Sequence, residues 1–263
     1  MGEYSKVETD GHLMIVTINR PEVYNALHAP ANHELSGVFD EFAANPELWV
    51  AIITGAGDKA FSAGNDLKYH AKMQRETGKP AEPPRTRFGG ISARFDLDKP
   101  IIAAVNGVAM GGGFEMALAC DIIIASERAT FALPEPRVGL AAGSGGMQRL
   151  SRMIPMKHAM GMLLTGRHVP AEEGYRLGFV TSVVPHDKLM EEARRWAGMI
   201  LECSPMSVRA TKQVVRLSGD VPSLEIAMRN PNYPAFLAMQ RSEDTVEGPR
   251  AFAEKRKPQW KGR

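Results

Sequence analysis

Cysteine is scarce. The two in this 263-residue chain, Cys120 and Cys203, stand far apart in apolar or helical surroundings. Two such residues make neither a disulfide framework nor a zinc site, and a reducing, cytoplasmic compartment is the expectation. An excess of one charge is missing too. Lys and Arg number 32 against 30 Asp and Glu, a formal net charge of +2. That balance argues against a protein that coats nucleic acid through a bulk positive field, although the tail Lys255–Arg263 is locally basic. No run approaches the roughly 18 uncharged apolar residues of a membrane span. The opening MGEYSKVETDGH is polar and lacks the apolar stretch of a secretion signal. His12, His28, His33, His70, His158, His168 and His186 are scattered, with no H-E-x-x-H and no His/Cys cluster, so no metal site is expected. The nucleotide-phosphate patterns G-x-G-x-x-G and G-x-x-x-x-G-K-S/T are absent, as are internal repeats and heptads.

What is present is a chain 44% hydrophobic, enough for a substantial core. His12–Asn19 (HLMIVTIN) reads as a strand ended by Arg20-Pro21. Leu35, Val38, Phe39 and Phe42 recur at i, i+3, i+4 and i+7, one face of a helix. Val50–Thr54, Ile101–Val105 and Asp121–Ala125 are short apolar runs that read as buried strands, with helical patterns between them. The first half therefore predicts repeated ββα or βαβ units around a sheet. Residues Lys68–Lys99 read differently. Gly78-Lys79-Pro80, Pro83-Pro84, Gly89-Gly90 and many charges predict an irregular, mobile insertion. From Met147 onward helices dominate. Leu189, Ala193, Trp196 and Ile200 form an apolar stripe with Glu191, Glu192 and Arg195 facing away, and Ser207–Leu217 and Ala251–Arg256 also read as helix.

Three stretches carry candidate chemistry. Phe61–Leu67 (FSAGNDL) follows a strand. Its ordinary reading is a strand-to-helix loop with Gly64 at the turn and Asp66 as a helix N-cap. Its functional reading is a loop whose small residues let backbone N–H groups approach a ligand. Val105–Asp121 contains Gly111-Gly112-Gly113 ahead of an apolar helical run. Glycine is a poor helix former, so three at a helix start suggest close approach of a ligand to free N–H groups at the positive end of the helix. A neutral group that becomes an anion in reaction suits such a place. Phe131–Gly146 holds Glu135 between Pro134 and Pro136, either an exposed loop glutamate or a carboxylate held in a fixed pose. Ser144 fails the nucleophile elbow G-x-S-x-G, because Ala142 stands where glycine is required.

Together these stretches resemble the enoyl-CoA hydratase/isomerase (crotonase) superfamily across nearly the whole chain. Asn19-Arg20-Pro21 with Asn25-Ala26-Leu27 resembles its first CoA-contact segment. Phe61–Leu67 resembles its F-x-A-G-x-D-L/I motif, Val105–Asp121 its N-G-x-x-x-G-G-G-x-E motif, and Phe131–Gly146 its F-x-x-P-E segment with the glycines downstream. The resemblance implies an α/β fold, a crotonase-like spiral of ββα units over residues 1–200. A helical C-terminal part over 201–263 would serve in trimerisation or as a lid. It implies that the backbone N–H groups of Asn65 and Gly112 form an oxyanion hole, and that Glu115 and Glu135 are the catalytic carboxylates. Ala26, Ala63, Asp66 and Leu67 fall where the CoA or acyl path runs, and Gly143 beside the reacting water. Position 65 is Asn where many relatives carry Ala, which a main-chain donor tolerates.

Keeping both glutamates resembles hydratases more than isomerases. Hydration needs one group to take a proton from water and another to deliver one to the α-carbon. The expected activity is addition or removal of water at the 2,3-double bond of a short acyl-CoA thioester. Coenzyme A belongs to the substrate, and neither a metal nor another cofactor is expected. The expected assembly is a homotrimer or dimer of trimers, with no nucleic acid or membrane partner. Phe88–Pro100, Phe131–Glu135 and Pro258–Arg263 resemble most the members that act on crotonobetainyl-CoA, whose quaternary ammonium would need aromatic faces or a carboxylate. Tyr69, Phe88, Phe95, Asp96 and Asp98 are the candidates, with core or hinge packing as their alternative. Rival readings are a double-bond isomerase or acyl-CoA hydrolase on the same fold, and an RNA-binding or scaffolding protein.

Overall fold

The computed structural model describes residues 2–79, 82–230 and 232–263; Met1, Pro80, Ala81 and Pro231 lie outside the described residues. The chain opens with the antiparallel pair β1 (Ser5–Asp10) and β2 (Leu13–Ile18), then α1 (Ala29–Ala44). Three ββα units follow. They are β3 (Val50–Gly55), β4 (Ala60–Ser62) and α2 (Leu67–Thr77); β5 (Ile101–Val105), β6 (Val108–Met110) and α3 (Gly112–Ala119); and β7 (Ile122–Ser126), β8 (Thr130–Ala132) and α4 (Gly146–Met153). The first strand of each unit joins a six-stranded sheet and the second a four-stranded one. The neighbours β3, β5 and β7 pair in parallel in the larger sheet, as do β4, β6 and β8 in the smaller. This is the spiral of ββα units expected from the resemblance.

Side-chain alternation explains the apolar runs. Ile53, Ala103, Val105 and Ile123 face the main core with Leu35, Phe39 and Phe42 of α1. Ile52, Ile102, Ala104 and Ile124 face the other way. They pack against Leu189, Ala193 and Ala197 of a later helix. A strand buried on both faces has no polar face to show, hence VAIIT and IIAAV. Two buried asparagines tie the strand ends where the chain passes from one sheet to the other. Asn25 donates to the carbonyls of Ala56 and Ala60, and Asn106 to those of Gly55 and Gly57.

After α4 come α5 (Met156–Thr165), β9 (Val169–Pro170), α6 (Ala171–Leu177), β10 (Ser182–Val184) and α7 (Leu189–Leu201). The two short strands close the edges of the two sheets, a detail hidden within the helical pattern. Leu189, Ala193 and Ala197 are the buried part of the α7 stripe, and Trp196 and Ile200 pack half-buried against the same cluster. Then follow α8 (Pro205–Ser218), α9 (Leu224–Arg229), α10 (Pro234–Gln240) and α11 (Glu243–Ala253). The helix expected at Ala251–Arg256 thus begins eight residues earlier. The base of α8 is tied to the core by Lys212 on Asp121 at 2.7 Å and Arg216 on Asp98 at 2.9 Å. Among the described residues no helix is long and apolar enough to cross a membrane.

The stretch read as a mobile insertion is built otherwise. Its first third is α2, started by the Asp66 side chain accepting from Tyr69 N–H and ended by Gly78 in the left-handed region. Its last third is packed in: Thr86, Ile91, Ser92, Arg94, Leu97 and Lys99 are all buried. Lys99 donates to the Phe42 and Asn45 carbonyls at 2.6 Å each, at the C-terminal end of α1. Its burial lowers the ammonium pKa to about 8. Gly/Pro density and charge misled because these partners lie far away in sequence.

The central position of β5 generates a stability prediction. Ile102 is fully buried between β3 and β7 and against α7. Ile102→Ala should cost about 2–5 kcal/mol, the usual loss for emptying such a site. Denaturant unfolding followed by circular dichroism measures it; a loss below about 1 kcal/mol would contradict this packing.

Candidate active site

The loop from β4 to α2 is pinned from both sides by the segment Asn25–Leu27. Leu27 N–H donates to Gly64 O at 2.7 Å, and Asp66 N–H returns to Leu27 O at 3.1 Å. Ser62 Oγ donates to Asn25 O and accepts from Gly64 N–H. Between these bonds the Asn65 N–H has no protein acceptor among the described residues. Gly64 holds φ +86°, and a Cβ there would stand 2.5 Å from Met110 O and 2.9 Å from Gly112 N. Only glycine allows this loop to lie against the start of α3. That start is Gly111 at φ 52°. The first helical bond runs from Glu115 N–H to Gly111 O at 2.9 Å, which leaves the Gly112 N–H free in the same place. The Phe88 ring covers Gly112 closely, within 2.6 Å of where a Cβ would be.

Two carboxylates face this region. Glu115, in the first turn of α3, is 2% exposed. Its Oε1 accepts from Ser144 N–H at 2.7 Å and from Gly146 N–H at 2.9 Å. Gly146 is the first residue of α4, so the carboxylate sits at the N-terminus of two helices, where negative charge is favoured. Burial nevertheless raises its pKa, against those two N–H bonds and the positive charges of Arg149 and Arg87. Glu135 opens a short 3-10 turn, Glu135–Val138, directly after β8. It is half-buried, and its Oε2 is enclosed with no partner among the described residues. A Cβ on Gly111 would lie 3.0 Å from Glu135 Oε1, so the side chain reaches the start of α3. Burial pushes its pKa up to about 7, and the negative charge of Glu115 adds to the rise. The exposed-loop alternative for Glu135 does not hold.

Of the remaining expected residues only Gly143 lines one of two cavities beside the site; Ala26, Ala63, Asp66 and Leu67 flank Asn65 in the paired segments. Ala26 is buried, Ala63 and Asp66 are half-buried, and Leu67 is exposed. Asp66 is fully engaged. It caps α2 and takes both guanidinium nitrogens of Arg20 at 3.1 Å. Arg20 also donates to the Ala26 carbonyl, so this ion pair ties the Asn25–Leu27 segment to the start of α2. Gly143 is exposed, next to the Ser144 amide that holds Glu115. The contribution of Ser144 is its main chain, a role that residue type alone does not signal.

Two cavities meet here. One, of about 300 Å³, is lined by His28, Asn65, Tyr69 and Phe88; the other, of about 540 Å³, by Gly143, Gly145, Phe95 and Arg149. Arg87 and Ser144 line both. The residues considered for an ammonium site do not gather. Tyr69 and Phe88 share the smaller cavity. Phe95 sits under the Arg149 guanidinium at 5.8 Å. Asp96 pairs with Arg85 and Arg94, and Asp98 with Arg216. Arg87 and Arg149 were not singled out in the sequence. Arg149 follows the glycines by one helical turn, while nothing local marks Arg87.

The raised pKa of Glu135 has a consequence for folding. A carboxyl that holds its proton more tightly folded than unfolded makes stability fall as pH rises from the ordinary value, 4.5, through about 7. Glu135→Gln removes that dependence. Denaturant titrations between about pH 5 and pH 8 should show wild type losing stability relative to the variant as pH rises. A difference that stays flat across this window would contradict the enclosed position of Glu135.

Comparison with known proteins follows the same lines. The sequence profile of the Enoyl-CoA hydratase/isomerase family matches residues 8–263. The chain is 43% identical to the carnitinyl-CoA dehydratases of Escherichia coli (strain K12) and Citrobacter koseri, covering all of both chains in each case. Its backbone superposes on that of an enoyl-CoA hydratase from Mycobacterium tuberculosis H37Rv with a TM-score of 0.91 at 35% identity, over all of both chains. For an enoyl-CoA hydratase from Bacillus anthracis the TM-score is 0.89 at 34% identity, over 99% of this chain and 100% of that one. Sequence and backbone agree over the full length, and the chain belongs to the enoyl-CoA hydratase/isomerase family.

Proposed function

We propose that this protein hydrates 2-enoyl-CoA thioesters and runs the reverse dehydration, with Glu115 and Glu135 as the acid–base pair. One observation carries the reading: a buried and a half-buried carboxylate, electrostatically coupled, face a helix start whose N–H groups are free. A double-bond isomerase needs only one shuttling base, so the second carboxylate favours hydration.

In this reading the Asn65 and Gly112 N–H groups form the oxyanion hole and hold the thioester oxygen. Withdrawing charge from the carbonyl makes C3 electrophilic and stabilises the enolate formed when water adds. Glu115, fixed by Ser144 and Gly146, keeps one oxygen for the water. Glu135, with a pKa about 7, carries a proton in a good part of the molecules at neutral pH. The water oxygen bonds to C3 as Glu115 takes one of its protons, and Glu135 gives its own proton to C2. Proton exchange from Glu115 back to Glu135 resets the pair. Both groups work from one side of the double bond, so addition is syn. Ala26, Ala63 and Leu67 line the CoA path, Asp66 shapes it through Arg20, and open Gly143 leaves room beside the water. Thioester and water suffice, with coenzyme A as part of the substrate and no further cofactor.

A homotrimer or dimer of trimers is the proposed assembly. Leu224, Ile226 and Met228 on α9 and Phe252 on α11 are 64–87% exposed, more apolar surface than isolated helices leave in water. The proposed location is cytoplasmic. A short acyl group is proposed, and the likeness to carnitinyl-CoA dehydratases makes crotonobetainyl-CoA a second reading.

Glu115→Gln and Glu135→Gln should each lower turnover of crotonyl-CoA by roughly 10²–10⁴, followed as loss of the enoyl-thioester absorbance. Binding of the CoA ester should persist in both. Full activity in Glu135→Gln would defeat the mechanism. Full activity in Glu115→Gln alone would move the protein to the isomerases.

A further inference from the structure

The larger cavity is out of keeping with a cationic acyl group. Arg87, Arg149, Arg152 and Arg216 all line it, against a single acidic residue, Asp220. Of these four, Arg216 is held by Asp98 at 2.9 Å. Among the described residues no carboxylate lies within ion-pair distance of Arg87, Arg149 or Arg152. Arg149 is half-buried, and its burial lowers its pKa. The Glu115 carboxylate acts on Arg149 without an ion-pair contact, so the partly desolvated guanidinium would gain from an anion arriving in direct contact. Ser92 lines the same cavity, is 1% exposed, and its hydroxyl has no partner among the described residues. The cavity therefore offers forked cationic donors and a buried hydroxyl. A planar carboxylate accepts such donors in pairs. A trimethylammonium accepts none and is repelled by the positive charge.

Position ties this cavity to the reacting atoms. It meets the Asn65 cavity at Ser144, whose amide holds Glu115. The hydratase reading routes CoA past Ala63 and Leu67, which flank Asn65 in the chain, and so leaves the arginine side for the far end of the acyl chain.

We propose that this cavity binds a negatively charged acyl terminus, making the preferred substrate a short 2-enoyl-CoA that ends in a carboxylate. The proposal rests on the hydratase reading and departs from the cationic group in the names of the carnitinyl-CoA dehydratases.

The test compares kcat/KM for glutaconyl-CoA, which ends in a carboxylate, with crotonyl-CoA and crotonobetainyl-CoA. Charge-assisted hydrogen bonds to one carboxylate amount to about ten- to a hundredfold in affinity. Glutaconyl-CoA should therefore lead crotonyl-CoA by about tenfold or more, with crotonobetainyl-CoA last. Arg152→Glu, on the exposed side of α4, should cut the glutaconyl-to-crotonyl ratio by about tenfold and raise the crotonobetainyl-to-glutaconyl ratio. Arg149→Gln should lower the first ratio likewise. Wild-type preference for crotonobetainyl-CoA would overturn the proposal. So would equal losses for all three esters in both variants, which would assign the arginines to the CoA phosphates. If no ester is hydrated, the hydratase reading fails on its own. Calorimetric binding to the wild-type protein then decides the cavity: tighter glutaconyl-CoA supports the proposal, and equal or tighter crotonobetainyl-CoA overturns it.

Discussion

The Glu115 carboxylate is buried inside an apolar helix, and much of the surrounding architecture exists to make that tolerable. An isolated charge in such a place would cost several kcal/mol or neutralise itself. Here Oε1 takes two main-chain N–H bonds, at 2.7 and 2.9 Å. One donor opens α4, while the carboxylate itself belongs to the first turn of α3. That geometry demands glycine at 146, because a Cβ there would crowd Glu115 Oε1 at 3.1 Å. The loop before α4 must also come close enough to supply the Ser144 amide. The glycines after Glu135 thus serve Glu115, thirty residues upstream, as much as their own turn.

The ββα spiral supplies this convergence. Each unit sends its first strand to the larger sheet and its second to the smaller, so the chain leaves the smaller sheet repeatedly along one side. The exits from β4, β6 and β8 lead to Asn65, Gly112 and Glu135 respectively. Parallel pairing of β4 with β6 and β6 with β8 sets those exits side by side. Three loops separated by dozens of residues become one site through strand register, and the free N–H groups and raised carboxyl pKa values follow from it.

The parts legible in the sequence are those carried by short-range pattern or a long motif. Apolar runs at 50–54 and 101–105 became strands because burial on both faces leaves no other composition. Gly111–Gly113 announced a close approach at a helix start, and the protein itself supplies it: a Cβ on Gly113 would run into Ser62 O and one on Gly112 would stand 2.6 Å from the Phe88 ring. Illegible parts depended on distant partners. Residues 86–99 read as loose, yet Lys99 reaches the end of α1 and Ile91 lies in the main core. The pairing of Asp96 and Asp98 with arginines as far off as Arg216 removed them as ammonium ligands. Neither fact has a local signature.

Charge shows the same gap between composition and arrangement. A formal +2 spread over 263 residues says only that the protein has no bulk field. Arg87, Arg149, Arg152 and Arg216 come from a loop, from one face of α4 and from the end of α8, and the fold turns them onto one cavity. Arg149 illustrates why that matters chemically. Its positive charge works against the burial that raises the Glu115 pKa, and the same guanidinium borders the larger cavity. In the proposed reaction, a charge brought in by the acyl terminus would therefore be felt at Glu115. A carboxylate near Arg149 would offset part of the positive field at Glu115, raise its proton affinity and strengthen it as the base toward water. A cation in that place would weaken the same base. Under that proposal substrate choice and acid–base strength are joined through one side chain, Arg149, which borders the cavity and acts on Glu115.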